Sequence, residues 1–233
     1  MAKDRFARLP EEKRLRILDA AIWEFAERGY HGTSMRQIAQ RAGIAKGLTY
    51  YYFDGKEDLF LYVVQHAGDT WVRDFERFSG GRPPEDTREY YRHVVRFMME
   101  FIDSRPRMYQ LYVRNAHERG LPFLPQILAQ SRRLDKLLLD RLRADQRAAR
   151  VRPGVDVEKA RYILDGVADR LYEFFFSPRL DVLAVHDASR EERLRVAEEL
   201  FDVVWAGLVK DDETGRGPSP AWRESSSGDG PRR

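Results

Sequence analysis

The sequence predicts an all-α protein, and two observations carry this prediction. Apolar residues recur every three or four positions through most of the 233 residues, which is the spacing of one helix face. Alternating apolar and polar runs bounded by turn residues, which would indicate strands, are missing from the sequence. With 233 residues, the chain is long enough for one large domain or two small ones.

The first predicted helix follows Pro10, whose missing N–H is harmless in a first helical turn. Gly29 is a suitable end for this helix. Its apolar face consists of Leu15, Leu18, Ile22 and Phe25. The pair Ser34 and Gln37 has the spacing of a capping box, so another helix is expected to begin directly after Ser34.

Two short helices and several longer ones follow. The same capping pattern recurs at Asp54 with Glu57 and at Ser189 with Glu192. The expected helices are Met35 to Ala42, Lys46 to Tyr52, Lys56 to about Phe78, one carrying Tyr90, Val94, Phe97 and Phe101, Pro106 to about Gly120, one from Ile127 that ends before Pro153-Gly154, one from Asp156 to Phe176, and about Arg190 to Leu208. We therefore expect a helix-turn-helix domain in residues 1–55, a helical bundle in 56–210 and a disordered tail in 211–233, where Gly, Pro and Ser make up nearly half of the residues.

Composition excludes several classes of protein. The chain has no cysteine, which excludes disulfides, thiolate metal sites and a cysteine nucleophile. No apolar run approaches the roughly 18 residues of a membrane span, and the charged N-terminus is unlike a signal peptide, so we expect a cytoplasmic protein without a membrane partner. The sequence contains no P-loop, dinucleotide fingerprint, nucleophile elbow or metalloprotease motif. We accordingly expect neither an enzyme nor a cofactor or metal.

The segment from residue 30 to 60 carries the functional signal. Two short helices flank Gly43-Ile44, and a glycine at that corner permits the left-handed backbone that a sharp turn needs. Ala39 is small enough to let the two helices cross closely. This pattern is typical of a helix-turn-helix, in which the second helix enters the major groove of DNA.

The second short helix carries residues suited to DNA. Lys46 and Gly47 stand at its start, where the helix dipole also favours a phosphate. Tyr50, Tyr51 and Tyr52 project about 100° apart and cannot all be core. From residue 28 to 56 there are five basic residues and one acid, inside a chain whose net charge is only +3. An ordinary helical corner with solvated charges remains the alternative interpretation.

These residues resemble those of a known family. Gly29-Tyr30, Thr33-Ser34, Ile38-Ala39, Ala42-Gly43, Lys46-Gly47, Tyr50, Tyr52-Phe53 and Lys56 to Leu59 are similar to the N-terminal domain of TetR-family transcriptional regulators. The resemblance covers roughly residues 10 to 65. It implies an all-helical ligand-binding and dimerisation domain in the rest of the chain.

The resemblance also implies roles for individual residues. The implied DNA contacts are Arg36, Lys46, Gly47, Leu48, Tyr50 and Tyr51, with Thr33, Ser34, Tyr52 and Lys56 as phosphate anchors, whereas Phe53 matches a core position. The order Leu48-Thr49 departs from the usual family pattern, in which a hydroxyl precedes a core leucine. Leu48 could instead contact a thymine methyl group.

The helices beyond residue 80 are expected to supply self-association and sensing. In the last helix, one apolar stripe contains Phe201 and an adjacent one contains Val203, which suits burial on one side and a twofold partner on the other. Burial of both stripes within one chain is the alternative. The candidate effector-binding residues are Phe97, Phe101, Tyr109, Tyr112, Phe123, Tyr172 and Phe175; taken singly, each is better explained by plain core packing, and only the set as a whole indicates a cavity.

Together, these features predict a homodimeric transcriptional regulator that binds a palindromic operator in double-stranded DNA and is released by a small-molecule effector, most simply a repressor. Two other classes remain open. One is a helical ligand-carrier or protein-interaction protein without sequence-specific DNA binding. The other is an activator or nucleoid-type protein that responds to no effector.

Overall fold

A computed structural model describes residues 4–117, 121, 136, 138–176, 185 and 187–209; for residues 115–117, 168, 169 and 171–176 it describes the backbone alone. Over these residues the protein is all-α, as predicted. The helices are α1 (Asp4–Ala7), α2 (Glu11–Gly32), α3 (Met35–Arg41), α4 (Lys46–Tyr52), α5 (Lys56–Phe78), α6 (Thr87–Ser104), α7 (Pro106–His117), α8 (138–147), α9 (Val157–Phe176) and α10 (Arg190–Leu208). In the same residues, the extended backbone forms one isolated bridge, between Val151 and Val209.

The chain divides into two compact units. The first contains Met1–Arg82 and Glu100–Arg133, and the second contains Pro83–Met99 and Leu134–Arg233. The predicted functional division after residue 55 stays a prediction. The predicted disordered tail, 211–233, lies outside the described residues, as does most of the predicted helix that begins at Ile127.

The core of the first unit forms where α2 packs against α3, α5 and α7. Its fully buried side chains include Phe25, Ile38, Phe53, Phe60 and Leu111. Leu15, which the sequence placed on the buried face of α2, is exposed instead, and Ile17 is buried in that turn. The correction follows from the helix register, because consecutive residues point about 100° apart.

The predicted ends of the helices are largely confirmed. Gly29 has a φ of 68° inside α2 and interrupts its helical geometry. The capping box of Ser34 and Gln37 is complete, and Ser189 caps α10 by accepting a hydrogen bond from the Glu192 amide. The predicted cap at Asp54 is wrong. Gly55 precedes α5, and the Asp54 amide donates to the Asp58 carboxylate over 3.0 Å.

The second unit packs α9 against α10 and adds the first part of α6. Its core includes Tyr91, Leu164, Phe201 and Trp205, with the Tyr91 and Phe201 rings stacked 5.3 Å apart. Arginines on α6 follow the polar edge of α10. The ion pairs of this edge join Arg88 and Arg92 to Asp202 and Arg96 to Glu198.

Candidate nucleic-acid interface

A tight corner joins α3 to α4. Gly43 has a φ of 62°, the left-handed conformation that the sequence required of it, and a side chain at this position would be strained. The Ala42 amide donates to the carbonyl of Ile38 over 2.9 Å, and the Ile44 amide donates to the carbonyl of Ala39 over 3.0 Å. The buried Ile38 and Ala39 anchor the corner to the core, so α4 is presented on a fixed support.

The residues of α4 divide into a buried side and an exposed side. Thr49 and Tyr52 are buried, while Tyr50 and Tyr51 expose 48% and 47% of their surface. Lys46 and Gly47 are exposed at the start of the helix. The expectation that the three tyrosines cannot all be core is therefore confirmed.

The departure at positions 48 and 49 has a clear structural consequence. The Thr49 hydroxyl is buried but donates a hydrogen bond to the Lys46 carbonyl over 2.7 Å, so the polar group is satisfied within its own helix. Leu48 is half-buried and packs against the hydrophobic core. Only part of the Leu48 side chain is therefore accessible to a thymine methyl group.

Three of the predicted phosphate anchors already have structural roles. Thr33 is buried, and its hydroxyl donates to the carbonyls of Glu24 and Gly29, at 2.9 and 2.8 Å. Tyr52 is also buried, because its ring packs on Phe6 in the core. These two side chains are thus withdrawn from solvent, and the prediction that they bind phosphates is corrected.

Lys56 is half-buried at the start of α5. Its ammonium donates to the carbonyls of Tyr30 and Thr33, at 2.8 and 2.9 Å, and lies 4.3 Å from the centre of the Tyr30 ring. Burial, and secondarily the Glu57 carboxylate, raises the pKa of Tyr30, which keeps its phenol neutral. These contacts close the loop before α3, and the role of Lys56 as a phosphate anchor stays a prediction.

Ser34 and Arg36 remain exposed at the start of α3. The Ser34 hydroxyl accepts from the Gln37 amide and donates to the Gln37 side-chain oxygen over 2.6 Å. Its capping role is therefore primary, although the group lies at the surface. Arg36 is exposed and makes no ion pair within the described residues.

The basic patch expected between residues 28 and 56 contains fewer free positive charges than the sequence count indicated. The Glu24 carboxylate is buried and accepts from Arg28 Nε over 3.0 Å and from Arg41 Nε over 2.7 Å. The Arg41 guanidinium also lies over the Trp23 ring. Two of the five cations therefore join α2 to α3, and the unneutralised charge is concentrated at Arg36 and Lys46.

Sequence reasoning missed one basic residue beside α4. In α1, the guanidinium of the exposed Arg5 lies 4.4 Å from the centre of the Tyr51 ring. The helix has only four residues and carries no periodic pattern. Its single aromatic residue, Phe6, is the one signal that could have revealed the packing.

The candidate effector-binding residues are distributed over both units. Phe97 is buried in the second unit, and Phe101 and Tyr109 are buried in the first. Tyr112 exposes 53% of its surface, so its predicted place in an enclosed lining is corrected. Phe123 and the side chains of Tyr172 and Phe175 lie outside the described residues. The effector site stays a prediction.

The described residues form neither a metal-binding cluster nor a membrane-spanning helix. In the described part of the chain, no group of three or more His, Asp or Glu side chains could hold a metal ion. None of the helices described there is both long and apolar enough to cross a bilayer.

Comparison with known proteins points to the same family as the sequence motif. The model for bacterial regulatory proteins of the tetR family matches residues 17–63. The HTH-type transcriptional activator FasR of Mycolicibacterium smegmatis is 35% identical over 124 residues, which is 53% of this chain and 54% of the relative. The chain spans about half the length of the first curated relatives it matches.

Solved structures share the fold over most of the chain. A TetR family transcriptional regulator from Chloroflexus aurantiacus has a TM-score of 0.71 and 24% identity, with 90% of this chain and 99% of that chain covered. The transcriptional regulator FadR from Bacillus subtilis, in complex with stearoyl-CoA, has a TM-score of 0.64 and 21% identity, with 80% and 96% covered. The helix-turn-helix corner, the all-helical architecture and these matches agree, and residues 17–63 match the tetR family of bacterial regulatory proteins.

Proposed function

We propose that this chain is a transcriptional regulator that binds an operator in double-stranded DNA through α4. The observation that carries the proposal is the exposed set Lys46, Gly47, Tyr50 and Tyr51 on a helix fixed by a buried corner. A helix presented in this way fits the major groove, where side chains contact base edges. Gly47 allows close approach of the backbone, and Lys46 supplies a positive charge at the helix start.

Arg36 supports the same interface from α3. It is exposed in the first turn of α3 and has no carboxylate partner among the described residues. A guanidinium there suits a backbone phosphate, which it can hold with two hydrogen bonds. Phosphate contacts of this kind fix the register of the protein on DNA, while the α4 side chains discriminate between sequences.

The protein is proposed to act as a homodimer. Tyr162 on α9 exposes 80% of its surface, and Ile163 and Val203 are about half exposed. The neighbouring Gly166 and Gly207 are also at the surface, and a Cβ added at either position would meet no described atom within 4 Å, so a second chain could approach closely there. Apolar side chains beside glycines on two packed helices suit a twofold interface. Two copies of α4 would then enter successive major grooves, about 34–36 Å apart.

We further propose that a small molecule regulates DNA binding. In the simplest form, the protein represses transcription and an effector releases it from the operator. An effector can release DNA only by binding better to the state that does not bind DNA. Acyl-CoA thioesters are the first effectors to test, because the structure of the related FadR is a complex with stearoyl-CoA. A repressor and an activator differ in whether the DNA-bound form lowers or raises transcription.

The experiment is DNA binding by the full chain and by matched variants. An operator selected from random duplexes is titrated at several salt concentrations with the wild type, Arg36→Ala, Tyr51→Ala and Arg147→Ala. Arg147 is an exposed arginine in the second unit, so its variant controls for net charge. We expect Arg36→Ala to weaken binding to every duplex and to lower the slope of log affinity against log salt by about 1. Tyr51→Ala should weaken binding to the operator more than binding to random DNA.

Failure of the wild-type chain to select any sequence would refute the proposal and favour the ligand-carrier alternative. Losses from Arg147→Ala as large as those from Arg36→Ala would refute the location of the interface. Titration of the complex with acyl-CoA thioesters then tests for release. DNA binding that persists with every candidate effector would favour a nucleoid-type protein.

A further inference from the structure

The short helix α1 is fastened to the recognition helix by one aromatic side chain. Phe6 is completely buried, and its ring lies 4.7 Å from Phe53, 5.3 Å from Tyr62 and 5.8 Å from Tyr52. A buried phenylalanine contributes a few kcal/mol of apolar burial, enough to hold four residues in place. The residues next to Phe6 therefore have a defined position beside α4.

Arg5 is placed by this anchor on the exposed side of α4. Its guanidinium stands over the ring of Tyr51, 4.4 Å from the centroid, and Tyr51 is itself half exposed. Stacking on a ring occupies the face of a guanidinium and leaves the N–H groups at its edge available. Arg5 makes no ion pair or side-chain hydrogen bond within the described part of the chain. Such a group is suited to a bidentate phosphate contact.

We propose that Arg5 binds a backbone phosphate beside the groove that α4 enters, so that α1 forms a second part of the DNA interface. The inference rests on the proposed DNA-binding function. The Tyr51 ring holds the guanidinium in place, and the cation adds to the charges of Arg36 and Lys46 at the same interface. The exposed Asp4 carboxylate on the preceding residue opposes this charge, but consecutive residues of a helix lie about 100° apart around its axis.

The test measures the salt dependence of DNA binding by the full chain. Arg5→Ala is compared with the wild type on the selected operator and on a random duplex. Loss of one phosphate contact should lower the slope of log affinity against log salt by about 0.9. Affinity at low salt should fall about tenfold, by the same factor on both duplexes. Arg5→Lys, which keeps the charge, should recover most of the slope.

Arg8→Ala is the matched control, because it removes the same charge from the same segment. Arg8 is exposed but has no contact with the α4 rings among the described residues. If Arg8→Ala and Arg5→Ala lower the salt slope and the affinity equally, Arg5 contributes only its net charge, and the inference is overturned. A loss confined to the operator would also overturn it, since Arg5 would then act on base readout through Tyr51.

Failure of this inference is distinguishable from failure of the proposed function. If the wild type binds its operator but Arg5→Ala keeps the full slope, the phosphate contact is refuted and DNA binding stands. If the wild type selects no DNA, the proposed function itself fails. The thermal transition of each variant is measured in parallel, and an unchanged transition shows that α1 remains packed through Phe6.

Discussion

Replacing Glu24 with Gln should destabilise the helix-turn-helix unit by about 2 kcal/mol. The Glu24 side chain is 5% exposed and accepts charge-assisted hydrogen bonds from Arg28 at 3.0 Å and Arg41 at 2.7 Å. Breaking a fully buried ion pair costs about 3–5 kcal/mol, and an exposed pair contributes about 0–1 kcal/mol. The two arginines are 50% and 36% exposed, so water screens part of the interaction and the cost lies between these limits.

The assay is equilibrium urea unfolding of the full chain with a double-mutant cycle. Glu24→Gln, Arg41→Gln and the double variant are compared, because the cycle removes the separate effect of losing the Arg41 contact with Trp23. We expect a coupling energy of about 1 kcal/mol. Glu27→Gln is the control, since both partners of the Glu27–Arg107 pair are more exposed than those of the Glu24–Arg41 pair and the pair should contribute under about 1 kcal/mol.

A coupling energy near zero would refute the reasoning, since the buried carboxylate would then not hold α3 to α2. Equal losses from Glu24→Gln and Glu27→Gln would refute the argument from burial. Raising the salt concentration should weaken the Glu27 pair more than the Glu24 pair, because salt screens exposed charges more strongly than buried ones.

Three further predictions concern association, pH and capping. Ile163→Asp should shift the chain toward monomer in sedimentation experiments, whereas Leu15→Asp, which changes an exposed apolar residue of the first unit, should not; a dimer unaffected by Ile163→Asp would contradict the proposed interface. Burial, and secondarily Arg73, lowers the pKa of His66, so the unfolded chain binds this proton more readily, and the stability contribution is present above pH 6.5 and lost as the pH falls below it. His66→Asn should therefore make the free energy of unfolding less dependent on pH between pH 5.5 and 7.5. An unchanged pH dependence would count against the burial of His66 as its cause. Ser34→Ala should cost about 1 kcal/mol in urea unfolding by removing the cap of α3, and a neutral result would show that the cap is dispensable.

The sequence predicted elements whose ends are fixed by local chemistry. The bounds of α4, α5 and α10 agree with the structure because each is set by a corner, a glycine or a capping serine within a few residues. The positive φ of Gly43 followed from the same local reasoning. Helix α1 escaped prediction because four residues are too few for a periodic pattern, and its position depends on the burial of Phe6.

The candidate interface was predicted less completely because partners distant in sequence decide which cations remain exposed. Counting charges from residue 28 to 56 omitted Glu24, which neutralises Arg28 and Arg41 from outside that window. Lys56 was likewise taken for a surface cation, yet its ammonium donates to carbonyls more than 20 residues earlier in the chain. Such assignments depend on the three-dimensional structure and cannot be made from spacing alone.

The internal contacts of Arg28, Arg41 and Lys56 change how the proposed interface would achieve affinity and specificity. With Leu48 half-buried and Thr49 turned into the core, base contacts are left to Lys46, Tyr50 and Tyr51. This set contains no arginine, asparagine or glutamine, so Lys46, toward a guanine, is its one side chain suited to binding a base edge with two hydrogen bonds. Discrimination by one copy of α4 is therefore modest, and the remaining affinity must come from phosphate contacts and from the second copy of the chain. If this is correct, monomeric variants should lose most operator selectivity while they retain weak binding to any duplex.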